Sequence, residues 1–182
     1  MTDSPWCPEG TVLVGDAVVD LADPGKAPRR IPSTYADPVA WMMADAVAAA
    51  LDACGADAPA ELSEVAVIGI SEHATRHTLR AVAAGVPAGR MSPMRFAAAG
   101  PGSLVGVVCA VFGFQGPTLM LPMPVADAAV VTRAMITDWL TGDAASAAHV
   151  VVVTHECAED GRHRARCFVL GRRNATRGSQ LV

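Results

Sequence analysis

The sequence predicts a single α/β domain built on a mixed, mostly parallel sheet that is flanked by helices. Two apolar runs of strand length, EVAVIGI at 64–70 and HVVVVTHE at 149–156, are typical of strands buried on both faces. Helical patterns alternate with these runs along the chain, as expected of an α/β fold. With 182 residues, 52% of them hydrophobic, the chain has the size and composition of one domain with a large core.

The elements before residue 90 follow from apolar patterns and helix-start signals. The segment 11–21, TVLVGDAVVDL, is apolar and β-branched and predicts one or two strands. Asp37-Pro38 predicts a helix start, with Asp as the N-cap and Pro at the first helical position, and the helix should end at Gly55. A second helix is predicted from about Ser71 to Ala84. The face of the first helix that should be buried consists of Val39, Met42, Met43, Ala46, Val47, Ala50 and Leu51.

The second half of the chain continues the alternation of strands and helices. A loop containing Ser92-Pro93 leads to 103–114, whose length favours a helix, and TLMLPM at 118–123 predicts a short strand. The segment 126–140 predicts a helix with Val130, Val131, Ala134, Met135 and Trp139 available for burial. RARCFVL at 164–170 alternates in polarity and should pair antiparallel with 149–156. We therefore divide the single domain into an N-terminal strand-and-loop segment (1–36), an α/β region (37–171) and a flexible tail (172–182).

Composition and charge exclude several classes of protein. A net charge of −4 argues against nucleic-acid binding, which calls for a basic surface. The first ten residues, MTDSPWCPEG, do not resemble a signal peptide, and the charge-free stretch 96–126 is too often interrupted by Gly and Pro to span a membrane. The five cysteines are scattered and include no CxxC pair, which fits a reducing compartment. We therefore expect a cytoplasmic protein that binds neither nucleic acid nor membranes.

Histidine and cysteine positions indicate possible metal sites, each with a simpler explanation. His73 and His77 are four residues apart, as in half of a metal site, but the adjacent Arg76 and Arg80 favour a solvated helix face. Strand alternation sends His155 and Cys157 to one side of a strand, where His163 could join them as a weaker ligand set. Gly69-Ile70-Ser71 lacks the GxGxxG spacing of a nucleotide-binding loop. We expect neither a metal nor a cofactor.

Three short motifs in the second half carry a resemblance to a known family. They are SPMRF at 92–96, GVV at 106–108 and FGFQGP at 112–117, and they match the "SP-x-x-F…GxVA…FGxxGP" run of the β-ketoacyl synthases. The segment Ser92 to Glu156 thus resembles the N-terminal half of these enzymes, which condense acyl units in fatty-acid and polyketide synthesis. The helix Val39–Gly55 and the strands 147–156 and 166–170 resemble further parts of that half. The resemblance implies one half of the thiolase fold.

The same resemblance implies that the catalytic cysteine is missing. In the family, the nucleophile opens a helix after the strand that follows the Gly-Pro turn, and the matching position here is Val125. Condensation needs a thiolate to hold the acyl chain, so a chain with Val125 is not expected to catalyse it. In these respects the chain resembles a truncated chain-length factor, a relative that lacks the cysteine and serves as the second subunit of a heterodimer. The resemblance also implies that Thr118, Leu119, Met120 and Leu121 form an interface strand.

These observations lead to two hypotheses of different kinds, beside the weaker one of a remnant without function. In the first, the protein is a non-catalytic ketosynthase-like subunit that forms a homodimer, or a heterodimer with a ketosynthase. An acyl carrier protein is a further possible partner, through Arg90, Arg95 or the Arg162–Arg177 cluster. In the second, it is a small cyclase, dehydratase or hydrolase that uses Asp127, His155 or Cys109. Each of these three has a simpler explanation, such as a helix-terminal carboxylate for Asp127 and a buried thiol for Cys109.

Overall fold

Five strands form one mixed sheet in the computed structural model, which describes residues 5–31, 34–90, 92–143 and 145–173. Across the sheet the order is β1-β5-β4-β2-β3. β2 is parallel to both β3 and β4, whereas β5 lies antiparallel to both β4 and β1. The predicted mixed sheet is therefore confirmed, and four of its five strands run in the same direction. The strands are β1 (Thr11–Leu21), β2 (Val65–Ser71), β3 (Thr118–Leu121), β4 (His149–Cys157) and β5 (His163–Arg172).

Helices cover both faces of this sheet. α1 and α4 pack on one face against alternate residues of β2, β4 and β5, and α5 packs on the other face together with Trp6. All seven residues of β2 are buried, which explains its uninterrupted apolar sequence. The helices are α1 (Pro38–Cys54), α2 (Arg76–Gly85), α3 (Pro93–Ala98), α4 (Ser103–Phe112) and α5 (Ala129–Thr141).

Helix α1 is the central helix of the core and confirms the predicted start and end. Asp37 Oδ1 accepts a hydrogen bond from the Val39 N–H at 3.0 Å, Pro38 is the first helical residue, and Gly55 ends the helix with φ of +56°. By length and hydropathy the segment Pro38–Asp57 could also cross a membrane. Here the helix packs on the sheet and on α4 and is buried on nearly every side, as a core helix is. The face predicted from periodicity was too narrow, because Ala40, Trp41 and Ala44 are buried as well.

Strand β1 packs closely against α1 at Gly15. A β-bulge between Leu13 and Gly15 interrupts the pairing of β1 with β5. A Cβ at Gly15 would lie 2.5 Å from Cys54 Sγ and 2.6 Å from the Ala50 carbonyl oxygen, so only glycine fits between β1 and α1. One continuous strand therefore spans the segment in which we predicted one or two.

Two predicted helices begin later than expected. Ser71 belongs to β2, and a turn that includes Ala74 at φ of +40° separates it from α2, which starts at Arg76. Helix α5 starts at Ala129, and its buried residues include Thr132 and Ile136, whereas Val130, Val131 and Ala134 are exposed. The predicted burial of Trp139 is confirmed, and Met135 is half-buried.

The remaining differences concern short segments. The predicted loop at Ser92-Pro93 contains α3, a helix of six residues in which Pro93 occupies the first turn. The helix predicted at 103–114 ends at Phe112, because Gly113 adopts a left-handed conformation with φ of +75°. β5 extends to Arg172, so the predicted tail overlaps the sheet at that residue, and the rest of the tail from 174 onward lies outside the described residues.

Candidate functional site

Imidazole rings gather at the carboxyl ends of β2 and β4. Ser71 and His155 are register partners on these parallel strands, so their side chains lie next to each other on the α1 face of the sheet. β5 then returns antiparallel to β4 and pairs His163 with Cys157. Strand pairing alone therefore brings four polar side chains from three strands together at the end of the sheet where β2 and β4 terminate.

Hydrogen bonds join three of these side chains into a chain that ends at a thiol. Ser71 Oγ lies 2.9 Å from His155 Nδ1, and His155 Nε2 lies 2.9 Å from His163 Nδ1. The second ring nitrogen of His163, Nε2, is 3.9 Å from Cys157 Sγ. The two imidazole rings stack with their centroids 5.2 Å apart. Both nitrogens of His155 are thus engaged within the protein.

Burial and neighbouring imidazoles keep these rings neutral. His155 is 1% exposed, and burial, followed by the nearby His163, His73 and His77, lowers its pKa to about 3. Burial also lowers the pKa of His163, with His77 and His73 acting in the same direction, whereas Asp23 and Asp37 oppose the shift. At neutral pH this pair of rings carries no charge.

The histidines of α2 and the turn before it line the same cavity as the histidines of β4 and β5. The cavity has a volume of about 120 Å³ and is named here the histidine cavity. Both His73 and His77 are half-buried, and the ring of His77 lies 5.7 Å from that of His163. Arg76 and Arg80 are exposed, so the predicted solvated face holds for the arginines but not for the two histidines. The residues that line the histidine cavity are Val39, His73, Arg76, His77, Arg80, His155, Cys157 and His163.

The arrangement of His163 does not suit a metal centre. One nitrogen of His163 faces His155 and the other faces Cys157, so these three side chains do not converge on one point. Over the described ranges, no three His, Cys, Asp or Glu side chains are placed to hold an ion together.

The other two candidate catalytic residues lie apart from His155. Asp127 is exposed in the turn before α5, whereas the side-chain partners of His155 are Ser71 and His163. Cys109 is half-buried on α4 against the α1 side of the core, and burial raises the pKa of its thiol. A raised pKa disfavours the thiolate that a nucleophile needs. The structure therefore does not join Asp127, His155 and Cys109 into one site.

Val125 lies in the segment between β3 and α5, on the opposite face of the sheet from the histidine cavity. Its side chain is half-buried and packs against the core cluster that contains Leu121 and Ala128. The position that resembles the family's nucleophile is thus filled by a hydrocarbon side chain that contributes to packing.

β3 is the edge strand next to β2. The N–H of Val67 donates to the Pro117 carbonyl at 2.9 Å, and Val67 is the register partner of Thr118. In a parallel ladder with this register, Thr118 and Met120 direct their backbone N–H and C=O groups away from β2. No other described strand pairs with that outer side. Gly116 permits the turn into β3, because a Cβ there would lie 2.6 Å from the Val65 carbonyl oxygen.

Comparison with known proteins identifies the fold. No protein-family model and no curated protein matches the chain. Among solved structures it is similar to the ishigamide ketosynthase/chain length factor, with a TM-score of 0.60 and 12% sequence identity over 84% of this chain and 48% of that chain. It is also similar to the ketosynthase ApeO in complex with its chain length factor ApeC from Xenorhabdus doucetiae, with a TM-score of 0.54 and 12% identity over 75% of this chain and 58% of that chain.

The chain spans about half the length of the structures it matches. At this level of identity the similarity concerns the fold alone, and it confirms the prediction that the fold of this chain resembles part of a ketosynthase-type structure. The chain thus has the α/β fold found in ketosynthase and chain-length-factor proteins.

Proposed function

We propose that this protein is a non-catalytic, ketosynthase-like subunit of polyketide-type biosynthesis that acts by pairing with a ketosynthase. Its fold is the one seen in the ketosynthase and chain-length-factor structures described above. Val125 stands where the resemblance places the nucleophile, and it has no atom that can hold an acyl group. Such a chain is expected to act through association. We place this association in the cytoplasm, in keeping with five free cysteines.

The open edge of β3 is the observation that carries the proposal. Residues 118–121 are TLML, without a charged side chain. The opposite edge strand, β1, has a bulge and the exposed carboxylates of Asp16 and Asp20, which are features that discourage pairing with another chain. Because β3 lacks both features, it is the edge better suited to receive a partner strand.

We propose that two exposed apolar side chains at the start of α5 belong to the same interface. Val130 is 80% exposed and Val131 is exposed beside it, on the helix that follows β3. Exposed apolar side chains that lie together are typical of interaction surfaces. We therefore define the β3 surface as residues 118–121 with Val130 and Val131.

A proline substitution tests the strand pairing. Thr118 is exposed and its N–H faces away from β2, so Thr118→Pro removes a donor at the outer edge alone. We expect it to weaken binding to a ketosynthase at least tenfold, because a cross-chain hydrogen bond is lost and the ring obstructs the partner strand. Thr118→Ala keeps the N–H and should bind like the wild type. Binding is measured by co-purification with a tagged ketosynthase and by size-exclusion chromatography with light scattering.

A charge substitution tests the helical part of the β3 surface. Val130→Glu should weaken the same association at least tenfold, because an unpaired carboxylate would be buried in the interface. Val18→Glu is the matched control, since Val18 is 49% exposed on β1 at the far edge of the sheet. A strictly monomeric protein that captures no ketosynthase would contradict the proposal. If the protein instead associates with itself through the β3 surface, the heterodimer proposal is wrong and the protein is a homodimer.

The proposal extends to an acyl carrier protein as a second partner, bound through exposed arginines. Arg90 and Arg95 border a shallow depression of about 310 Å³ between α2 and α3. The guanidinium of Arg95 lies 5.5 Å from the centre of the Tyr35 ring, which holds it in place. Arg90→Glu should abolish a salt-dependent interaction with a carrier protein, whereas Arg133→Glu on α5 should not.

Only part of the Arg162–Arg177 cluster suits this second role. Arg164 forms an ion pair with Asp20 at 2.7 Å, and Arg172 donates to the Leu140 carbonyl at 2.8 Å. Arg162 and Arg166 are exposed, and Arg177 lies outside the described residues. The surface around Arg90 and Arg95 is therefore our first choice for a carrier protein.

One observation favours the alternative of a small enzyme with altered chemistry. His155 is the one candidate catalytic residue that the structure joins to other polar side chains, namely Ser71 and His163. Single alanine substitutions of Asp127, His155 and Cys109 test this alternative. If the pathway product is unchanged in all three variants, the enzyme hypothesis in this form is wrong.

A further inference from the structure

The histidine cavity is lined by basic side chains from two directions. α2 and the turn before it supply His73, Arg76, His77 and Arg80, and the strands supply His155 and His163. Among the described residues, no carboxylate lines the cavity. The volume of about 120 Å³ has room for about four water molecules, or for one tetrahedral oxyanion.

The hydrogen-bond chain from Ser71 determines which nitrogens carry protons. Ser71 is fully buried, and its Oγ accepts the Ala74 N–H at 3.0 Å. The Ser71 hydroxyl hydrogen must then be donated, and within the described structure its available acceptor is His155 Nδ1. His155 therefore carries its proton on Nε2 and donates it to His163 Nδ1, which leaves the proton of His163 on Nε2. The chain ends by directing an N–H donor towards Cys157 and the cavity.

The charges on α2 are not balanced within the described structure. Arg76 and Arg80 are four residues apart on one face of α2, where like charges destabilise a helix. Neither forms an ion pair with another described residue. A pair of guanidinium groups at a small cavity matches the geometry of a phosphate or sulfate group.

Two carboxylates near His163 are already engaged in local hydrogen bonds. Asp37 is buried, with Oδ1 bound to the Val39 N–H at 3.0 Å and Oδ2 bound to the Thr78 N–H at 2.8 Å. Asp23 is exposed and accepts the Gly25 N–H at 2.8 Å. Both favour protonation of His163, but neither lines the cavity, so the donors that face it are left for another anion.

We propose that the histidine cavity binds a tetrahedral oxyanion, either as a free ion or as the phosphate group at the end of a larger molecule. Arg76 and Arg80 hold the anion from the solvent side, and His73, His77 and the Nε2–H of His163 approach it from within. An anion in the cavity attracts the positively charged form of the imidazoles that line it, so binding favours the uptake of a proton. Affinity therefore rises as the pH falls.

Sulfate is the first probe, because its charge does not change between pH 6 and pH 8. Binding is followed by NMR through the imidazole resonances, at constant ionic strength maintained with chloride. We expect saturable shifts of the His77 and His163 signals and an affinity three- to tenfold higher at pH 6 than at pH 8, because uptake of a proton on binding raises affinity by up to tenfold per pH unit.

Three variants locate the ion. Arg76→Gln and Arg80→Gln should each weaken sulfate binding about tenfold or more, because each removes charge-assisted hydrogen bonds. Arg133→Gln, an exposed substitution on α5, should leave binding unchanged. Circular dichroism checks that each variant is folded. If an arginine variant does not fold, His77→Gln tests the inner side of the cavity instead.

The outcomes separate the possible ligands. Inorganic phosphate and glycerol 3-phosphate are titrated in the same way, and tighter binding of the ester indicates the end group of a larger molecule. Tighter binding of the free ion indicates a closed site. The proposal is overturned if sulfate causes no saturable shift, if the arginine variants bind as tightly as the wild type, or if affinity does not rise at lower pH.

Discussion

His155 is predicted to make the stability of the fold depend on pH between 7 and 5. Burial and the surrounding imidazoles lower the pKa of this ring from 6.5 to about 3 in the folded protein. In the unfolded chain the ring titrates near its ordinary value, so below pH 6.5 the unfolded state binds a proton that the folded state does not. The stabilisation is fully present above pH 6.5 and is lost as the pH falls towards 3.

The size of the effect follows from the two pKa values. Lowering the pH from 7 to 5 should reduce the free energy of unfolding by about 2 kcal/mol through His155 alone. Burial lowers the pKa of His163 and of His149 as well, so both act in the same direction. Carboxyl groups with ordinary pKa values of about 4 remain largely ionised at pH 5 and contribute little over this interval.

Urea unfolding at pH 7 and pH 5, followed by far-ultraviolet circular dichroism in chloride salts, measures this loss. His155→Gln can still hydrogen-bond to its neighbours but does not titrate. The variant should be less stable at pH 7 and should lose about 2 kcal/mol less than the wild type on acidification. A wild-type protein equally stable at both pH values, or a variant with the same loss, would refute the reasoning.

Three further predictions concern stability and are measured by urea and thermal unfolding. Asp37→Ala should lower the free energy of unfolding by about 2–4 kcal/mol, because it removes the cap of α1 and leaves the Thr78 N–H without its acceptor. Asp37→Ser should keep the cap, so its loss should be about 1 kcal/mol smaller. Equal losses in the two variants would contradict the double role of Asp37. Thr132→Val should stabilise by about 1 kcal/mol, since its buried hydroxyl has no partner within the described structure; destabilisation would indicate a hidden partner. Gly69→Ala should lower the free energy of unfolding by about 1–3 kcal/mol, because the new Cβ would lie 2.5 Å from Val105 Cγ1. Gly106→Ala, which has open space around it, should instead stabilise α4 by about 1 kcal/mol.

Elements whose boundaries depend on local chemistry could be predicted from the sequence. Asp37, Pro38 and Gly55 define α1 through capping and backbone preferences that act within a few residues. The strands β2 and β4 were recognisable because burial on both faces requires an apolar run. β3 lies at an edge of the sheet, and the interface role that the family resemblance implies for it stays a prediction.

The buried face of α5 could not be predicted in the same way. Apolar residues occur around most of this helix, so periodicity does not distinguish its sides. Packing against the sheet selects Thr132 and Ile136 and leaves Val130 exposed. That choice depends on the path of the chain between β3 and α5, which is a tertiary property.

The histidine cavity also depends on contacts between distant segments. Ser71 and His155 are 84 residues apart in sequence and meet only through the pairing of β2 with β4. Local sequence patterns therefore separate His73 and His77 from His155, Cys157 and His163. A usable signal was present, because Ser71 and His155 each end an apolar run, and the carboxyl ends of parallel strands lie at the same edge of a sheet.

The position of β5 between β1 and β4 has a consequence for folding. Asp20 and Arg164, which pair across β1 and β5, are 144 residues apart in sequence. During synthesis, β1 is made before the other described strands, and its neighbour among them is β5, which is made last. The sheet is therefore completed by its most distant contact, a topology associated with slow folding. Until then the apolar side chains of β1 depend on α1 or on a chaperone for cover.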